Sequence, residues 1–307
     1  MEKKIKYEYY QMTQSVDEGR EALFDLVAWI ADIDELNLNE RTRPYNEDTV
    51  RLEESFYHMT YATWFIRFMR QRPNDVPSLS GRNRASEFME LEEDQFVSED
   101  VTCLYDADTH VLMIQKNSHS VSPVGIEQYL NLTTPTDVVV NLRKVVATDS
   151  FDRVRNSRKC RKAIVRIADL PTLRNRGMLG NLRSSIGDMV NGMQHIPSPF
   201  VEFTFSVGMS RDAQIEEDEF TKIVDDIEEN PLLFDRARLS VIEANETKSK
   251  MIDLFLDSPK EEITFNTERA NPIRFDAMMD AMAQKYCPGV GRENRKREID
   301  RYILDRR

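Results

Sequence analysis

Cysteine and histidine are scarce and glycine is thinly spread: three, four and ten of them in 307 residues. Cys103, Cys160 and Cys287 are odd in number and far apart, which excludes a disulfide scaffold and points to a reducing compartment. His58, His110, His119 and His195 stand alone, so none supplies the short Cys/His spacing that zinc requires. Glycine-dependent phosphate loops are missing too: there is no P-loop and no dinucleotide fingerprint, and the pairs Gly177/Gly180 and Gly289/Gly291 read as turns. No Gly-x-Ser-x-Gly elbow is present to expose a nucleophilic serine. No apolar run approaches the roughly 20 residues that span a bilayer. The charged opening Met1–Tyr7 has no apolar stretch behind it, so it does not read as a signal peptide. These absences imply a cytoplasmic protein with no membrane segment and no recognisable cofactor.

What is present is charge, and it is sorted. The whole chain sums to −12. Residues 143 to 183 nevertheless set twelve cations against Asp149, Asp152 and Asp169, a net of +9, so the remainder totals −21. A basic island in an acidic protein is the footprint of a phosphate-binding surface. Its densest part, Arg153, Arg155, Arg158, Lys159, Arg161 and Lys162, would neutralise nucleic-acid phosphates without reading bases. Phe151 is the one interleaved aromatic, which argues against stacking on a single strand. Two other readings stand beside this one: a solvated surface, or pairing with the chain's own acidic runs, within the fold or across a subunit interface. Those runs are Glu87 to Asp100, with no Lys or Arg among them, and Asp212 to Glu229, opposed by Lys222 alone. They read as solvated faces, or as surfaces for a basic protein partner, a second subunit or nucleic-acid mimicry.

Alternation of Ile5, Tyr7 and Tyr9 with Lys4, Lys6 and Glu8 predicts a strand with one wet side. Asp17 as a cap predicts a helix through Ala22, Leu23, Leu26, Val27 and Ile30, and residues 37 to 48, with Pro44, predict a loop. Strands are expected through Val50 and Leu52 and through Thr63–Phe68, then an exposed connection from Pro73 to Gly81. Val101–Tyr105 and Val111–Ile114 around Asp106–Thr109 predict a hairpin, and Ser122 before Pro123 starts a helix. Thr133–Thr136 is the candidate boundary between an N-terminal domain, 1–134, and a C-terminal one, 135–307, unless the two are continuous. Beyond it, strands are expected at Val138–Val140, Ala163–Ile167, Val201–Val207, Leu239–Ile242 and Ile263–Phe265. Helices are expected over 172–191, over the second acidic run, after Asn271–Pro272 with Met278, Met279 and Met282 inward, and over 292–307. Trp29 and Trp64 read as core. The class is α+β, with mixed sheets, interleaved helices and no regular doubly wound βαβ rhythm.

One catalytic pattern survives inspection. Many nucleases set a carboxylate on one strand and Glu-x-Lys on the next, where paired acids hold a divalent ion. Glu246-Thr247-Lys248 follows a predicted strand, with Glu243 and Asp235 as companions, and the competing reading is a polar turn. Asp106-x-Asp108 opens like a calcium loop, but no glycine stands at the sixth position and Asn117 replaces the closing Glu. His119, among Asn117, Ser118 and Ser120, precedes a helix start and fits an anion site or a simple turn cap.

Tyr7-Glu8-Tyr9-Tyr10, Trp64–Phe68, Glu99–Asp106, Val111–Asn117 and Ser122–Glu127 carry a family likeness. The chain resembles an uncharacterised bacterial and phage-borne family, a domain of unknown function associated with mobile elements and phage–host conflict. The resemblance brings no catalytic residues. It implies a defence or counter-defence role, so the expectation is a non-enzymatic macromolecule-binding protein that touches nucleic acid through the island. The alternatives are a metal-dependent nuclease using Glu243, Glu246 and Lys248, and an acidic DNA mimic that inhibits a protein.

Overall fold

The computed structural model describes residues 2–15, 21–74, 76–146, 149–168, 170–175, 177–193, 200–208, 213–244, 246–255, 259–266, 273–287, 295–300 and 302–303. The chain divides into two compact units, each discontinuous in sequence. One takes Met1–Tyr7, Met12–Asn141 and Glu262–Lys285; the other takes Glu8–Gln11, Leu142–Glu261 and Tyr286–Arg307.

Strand β1 (Glu2–Ser15) begins as its alternation predicts, with Ile5 buried and Lys4 and Lys6 exposed, but every position from Tyr7 to Thr13 is buried. The expected wet side therefore ends at Lys6. Glu8, on that side, is 8% exposed; its carboxylate accepts the Tyr10 hydroxyl at 2.9 Å and pairs with Lys144 Nζ at 3.3 Å. A strand covered on both faces carries no alternating signature. The first helix also differs from expectation. Ala22 and Leu23 lie in β2 (Glu21–Leu23), antiparallel to the end of β1, and α1 (Leu26–Asp34) starts only afterwards. Asp25 caps it, accepting the Val27 and Ala28 N–H groups at 3.1 Å, whereas Asp17 lies outside the described residues. The expected loop at 37–48 contains a short edge strand, β3 (Arg43–Tyr45), whose Pro44 an edge tolerates.

β4 (Asp48–His58) and β5 (Thr63–Arg72) pair as predicted. After β5 comes a separate antiparallel ribbon, β6 (Ser78–Gly81) with β7 (Arg84–Phe88), in which every residue is exposed. The chain returns as β8 (Val97–Asp106), which pairs β5 from Trp64↔Tyr105 to Arg72↔Val97, and then turns into β9 (Val111–Gln115). Asp106 holds that turn by accepting the Asp108 N–H and the Thr109 hydroxyl, a local use that accounts for the calcium-loop likeness. In α2 (Pro123–Thr133), Ser122 Oγ accepts the Gly125 N–H at 3.1 Å, the cap that the sequence announced. The core beneath α2 includes Tyr129 and Trp29, with Trp29 Nε1 donating to Thr133 Oγ1. Trp64 is only half-buried. β10 (Val139–Lys144) completes the strand order β10-β1-β9-β8-β5-β4-β3, with β2 also pairing β1.

The second unit alternates α3 (Asp149–Arg155), β11 (Ser157–Ala168), α4 (Leu170–Asn175), α5 (Ser185–Gly192), β12 (Phe200–Ser206), α6 (Glu217–Glu229), β13 (Phe234–Glu243) and β14 (Lys250–Asp253). Its sheet is antiparallel with order β12-β11-β13-β14. The single helix expected over 172–191 is broken. Gly177, at φ 67°, takes the left-handed conformation that ends α4, and a 3₁₀ turn at Met178–Asn181 precedes α5. β15 (Lys260–Asn266) pairs with β1, and Lys4 meets Glu262 at 2.7 Å. In α7 (Phe275–Tyr286), Met278 and Met282 are buried as expected and Met279 is half-buried. The expected cap at Asn271–Pro272 falls outside the described residues, as does most of the terminal segment beyond α8 (Arg295–Ile299). The class is α+β, with mostly antiparallel sheets. No described helix is long and apolar enough to cross a membrane.

Candidate functional site

The six cations of the island occupy two elements. Arg153 and Arg155 project from α3, whose Phe151 and Val154 are buried. Arg158, Lys159, Arg161 and Lys162 lie on β11, the second strand of its sheet. Pairing of β11 with β13 is irregular between Ser157 and Lys159 and again between Cys160 and Lys162. The second irregularity places buried Cys160 and Ala163 three positions apart instead of two, so Arg161 and Lys162 are both half-buried. Bulges of this kind re-aim side chains and recur beside binding sites.

Among the described residues, five of the island's twelve cations pair with acids that lie far away in sequence. Arg153 pairs with Glu243 at 2.9 Å, Arg155 with Asp225 at 2.7 Å and with Glu228, and Arg183 with Glu229. Arg166 holds Asp235 bidentately, at 2.6 Å for each bond, and buried Lys144 takes Glu8. Hydrogen bonding to Glu228, then to Asp225, lifts the Arg155 pKa above its ordinary value against the opposing effect of partial burial. Asp235 does the same for Arg166. The alternative in which the island pairs with the chain's own acidic run is thus realised within the second unit. Arg158 and Lys162 differ: Arg158 is exposed, Lys162 is half-exposed, and neither side chain has an ion-pair or hydrogen-bond partner among the described residues. Arg161 donates to the Gly208 carbonyl at 3.2 Å.

The acidic helix α6 has an internal task beyond ion pairing. Asp226 is fully buried, and its two carboxylate oxygens accept the backbone N–H groups of Arg183 and Ser184 at 2.9 Å. Glu219 accepts the Ser185 N–H at 2.7 Å. Ser184 is the cap residue of α5 but makes no side-chain cap bond, so the acids of α6 satisfy the orphan donors of α5 in its place.

A cavity of about 190 Å³ opens where β11 begins, beside the first turns of α6. Arg155, Arg158 and Lys159 supply its cationic side, and Ile215, Phe220 and Val224 an apolar wall. Cys160 also lines it; burial pushes that thiol up to about 12, so it is neutral and unreactive at ordinary pH.

A model of a protein family matches residues 1–298, and its description reads family of unknown function, DUF6731. The chain belongs to that family. A search of the curated proteins gives no match. DUF6731 membership carries no activity with it, so the chemistry of this member is argued from its own side chains.

The nuclease pattern is not assembled. Glu243 pairs with Arg153, Glu246 and Lys248 are exposed in the turn that follows β13, and the Glu246 N–H closes that turn on the Glu243 carbonyl at 3.0 Å. Asp235 sits eight positions back along the same strand, about 26 Å away at the usual rise, and is committed to Arg166. Among the described residues no three His, Cys, Asp or Glu side chains gather where a metal could sit. His119 is exposed, and Asn117 caps its turn by accepting the His119 N–H at 3.1 Å. His195 lies outside the described residues. The outer face of the second sheet adds cations absent from the sequence reading: Arg236 pairs with Glu202 and Arg238 with Asp253. Alternation with buried Ala237, Leu239 and Val241 is the signal that places them there.

Proposed function

We propose that this protein is a non-enzymatic, cytoplasmic binding protein of phage–host conflict that contacts nucleic-acid phosphates through β11. The observation that carries the reading is the pair Arg158 and Lys162, cations whose side chains have no partner among the described residues, on a strand whose neighbours are paired. Lys159 and Arg161 lie between them on the strand, where the register against β13 is irregular. Arg153 and Arg155 are struts in this reading, holding α3 to β13 and α6. The conflict setting rests on the family resemblance, and the cytoplasmic setting on three free, buried cysteines. The acidic segment around the exposed ribbon serves a protein partner or a second copy. Its Glu87, Glu90, Glu92, Glu93 and Asp94 are exposed and have no ion-pair partner among the described residues.

A salt titration of binding to duplex and single-stranded DNA and RNA, with and without magnesium, tests the nucleic-acid part. Phosphate contact makes log affinity fall linearly with log salt. Arg158→Glu with Lys162→Glu abolishes binding and flattens the slope, whereas Arg153→Ala leaves both nearly unchanged. Equal loss in the two variants would make the whole island structural. Magnesium-dependent cleavage lost in Glu246→Ala would restore the nuclease.

A further inference from the structure

We infer that the cavity at the start of β11 is a binding site for a small amphiphilic anion, a single ring or short chain bearing one carboxylate or phosphate. Its size sets the body of the ligand. An apolar cavity of about 150 Å³ holds benzene, so about 190 Å³ takes one ring with an anionic head at its mouth. A whole nucleotide, with a second ring system besides its phosphate, overfills it. The lining sets the chemistry: Ile215, Phe220 and Val224 suit an apolar body, and Arg158 and Lys159 an anionic head.

Charge sets the head. Arg155 is already paired with Asp225 and Glu228. The cation left to a ligand is Arg158, which is exposed at the cavity and whose side chain has no ion-pair partner among the described residues. The register of β11 slips between Ser157 and Lys159, which takes Arg158 out of the regular ladder beside the cavity. Ser157, another lining residue, keeps its hydroxyl oxygen buried without a hydrogen-bond partner, an orphan that a ligand's polar head would satisfy. The site shares Arg158 with the nucleic-acid reading but does not depend on it.

Calorimetric titration of the full chain with phenyl phosphate and with phenylacetate tests the site, with inorganic phosphate and benzyl alcohol as the separated halves. Both whole probes bind once per chain, and each half binds at least about tenfold more weakly. Removing a charge-assisted contact in Arg158→Ala weakens the whole probes by roughly ten- to hundredfold. Thr221 is exposed on α6 and lines the cavity; Thr221→Trp fills the space and abolishes binding while circular dichroism stays unchanged. Lys162→Glu leaves the probes bound while weakening nucleic acid, which separates failure of one reading from failure of the other. Inorganic phosphate binding as tightly as phenyl phosphate, undiminished affinity in Arg158→Ala and Thr221→Trp, or no binding of either whole probe would overturn the assignment.

Discussion

The two acidic runs are alike in composition, but the acids of the ribbon and those along α6 meet different fates. In the second, Glu219, Asp225, Asp226, Glu228 and Glu229 of α6 all accept guanidinium or backbone N–H groups, Asp226 from full burial and Glu228 and Glu229 at the surface. In the first, the acids from Glu87 to Asp94 stand in solvent around a ribbon that shows Leu79 and Phe88 at 63% and 85% exposure. An isolated two-stranded ribbon is marginal in water, and carboxylates spaced along it repel one another. The same residues act as adhesive where a basic segment meets them and as an open surface where none does. Charge runs in a sequence therefore count for little until their counter-charges are located.

The contrast breaks most visibly at Asp226. Asp226→Ala leaves two N–H groups of the α5 entry without an acceptor and removes a fully buried carboxylate. It should cost about 3 kcal/mol by urea unfolding, and Asp226→Asn should recover part of that. Arg155→Ala comes next. It loses a half-exposed pair with two acids, worth about 1 kcal/mol at most, with no effect on nucleic-acid affinity. Smallest is the combined change of Glu92, Glu93 and Asp94 to alanine, which should move stability by no more than about 0.5 kcal/mol. A loss above 1 kcal/mol there would mean that the first run is also internal adhesive. The ribbon can be tested whole, because Arg72 and Val97 already face each other across the β5–β8 ladder. Replacing residues 73–96 by Asn-Gly should keep the unfolding midpoint and abolish self-association, read as mass by light scattering. A full chain that is monomeric at every concentration would leave a basic protein partner as the occupant of this surface.

Local patterns were legible. The hairpin around Asp106–Thr109, the Ser122 cap, the alternation of β12 and the apolar face of α6 each depend on residues within one or two turns of one another. The errors share a physical cause. Glu8 reads as wet until Lys144 arrives from 136 positions away, and the helix from 172 to 191 reads as continuous until Gly177 takes positive φ. The island reads as a bare basic surface because Glu228 stands 73 residues from Arg155 and Asp235 stands 69 from Arg166. The six candidate cations are all visible in the sequence. Which of them are spent is not, since that depends on tertiary pairing alone.

The place of β1 sets when the protein can fold. Its neighbours are β2, β9, β10 and β15, so a strand at Glu2–Ser15 waits for partners made as late as Lys260–Asn266. Pairings so distant in sequence are slow to form, because closing a long loop costs entropy before any contact repays it. During synthesis the Tyr7–Thr13 segment, buried on both faces in the finished molecule, emerges before these partners and stays uncovered until they follow. Production yield should accordingly track how quickly the remainder of the chain follows, and chains halted before β15 should be drawn into aggregates through that opening strand.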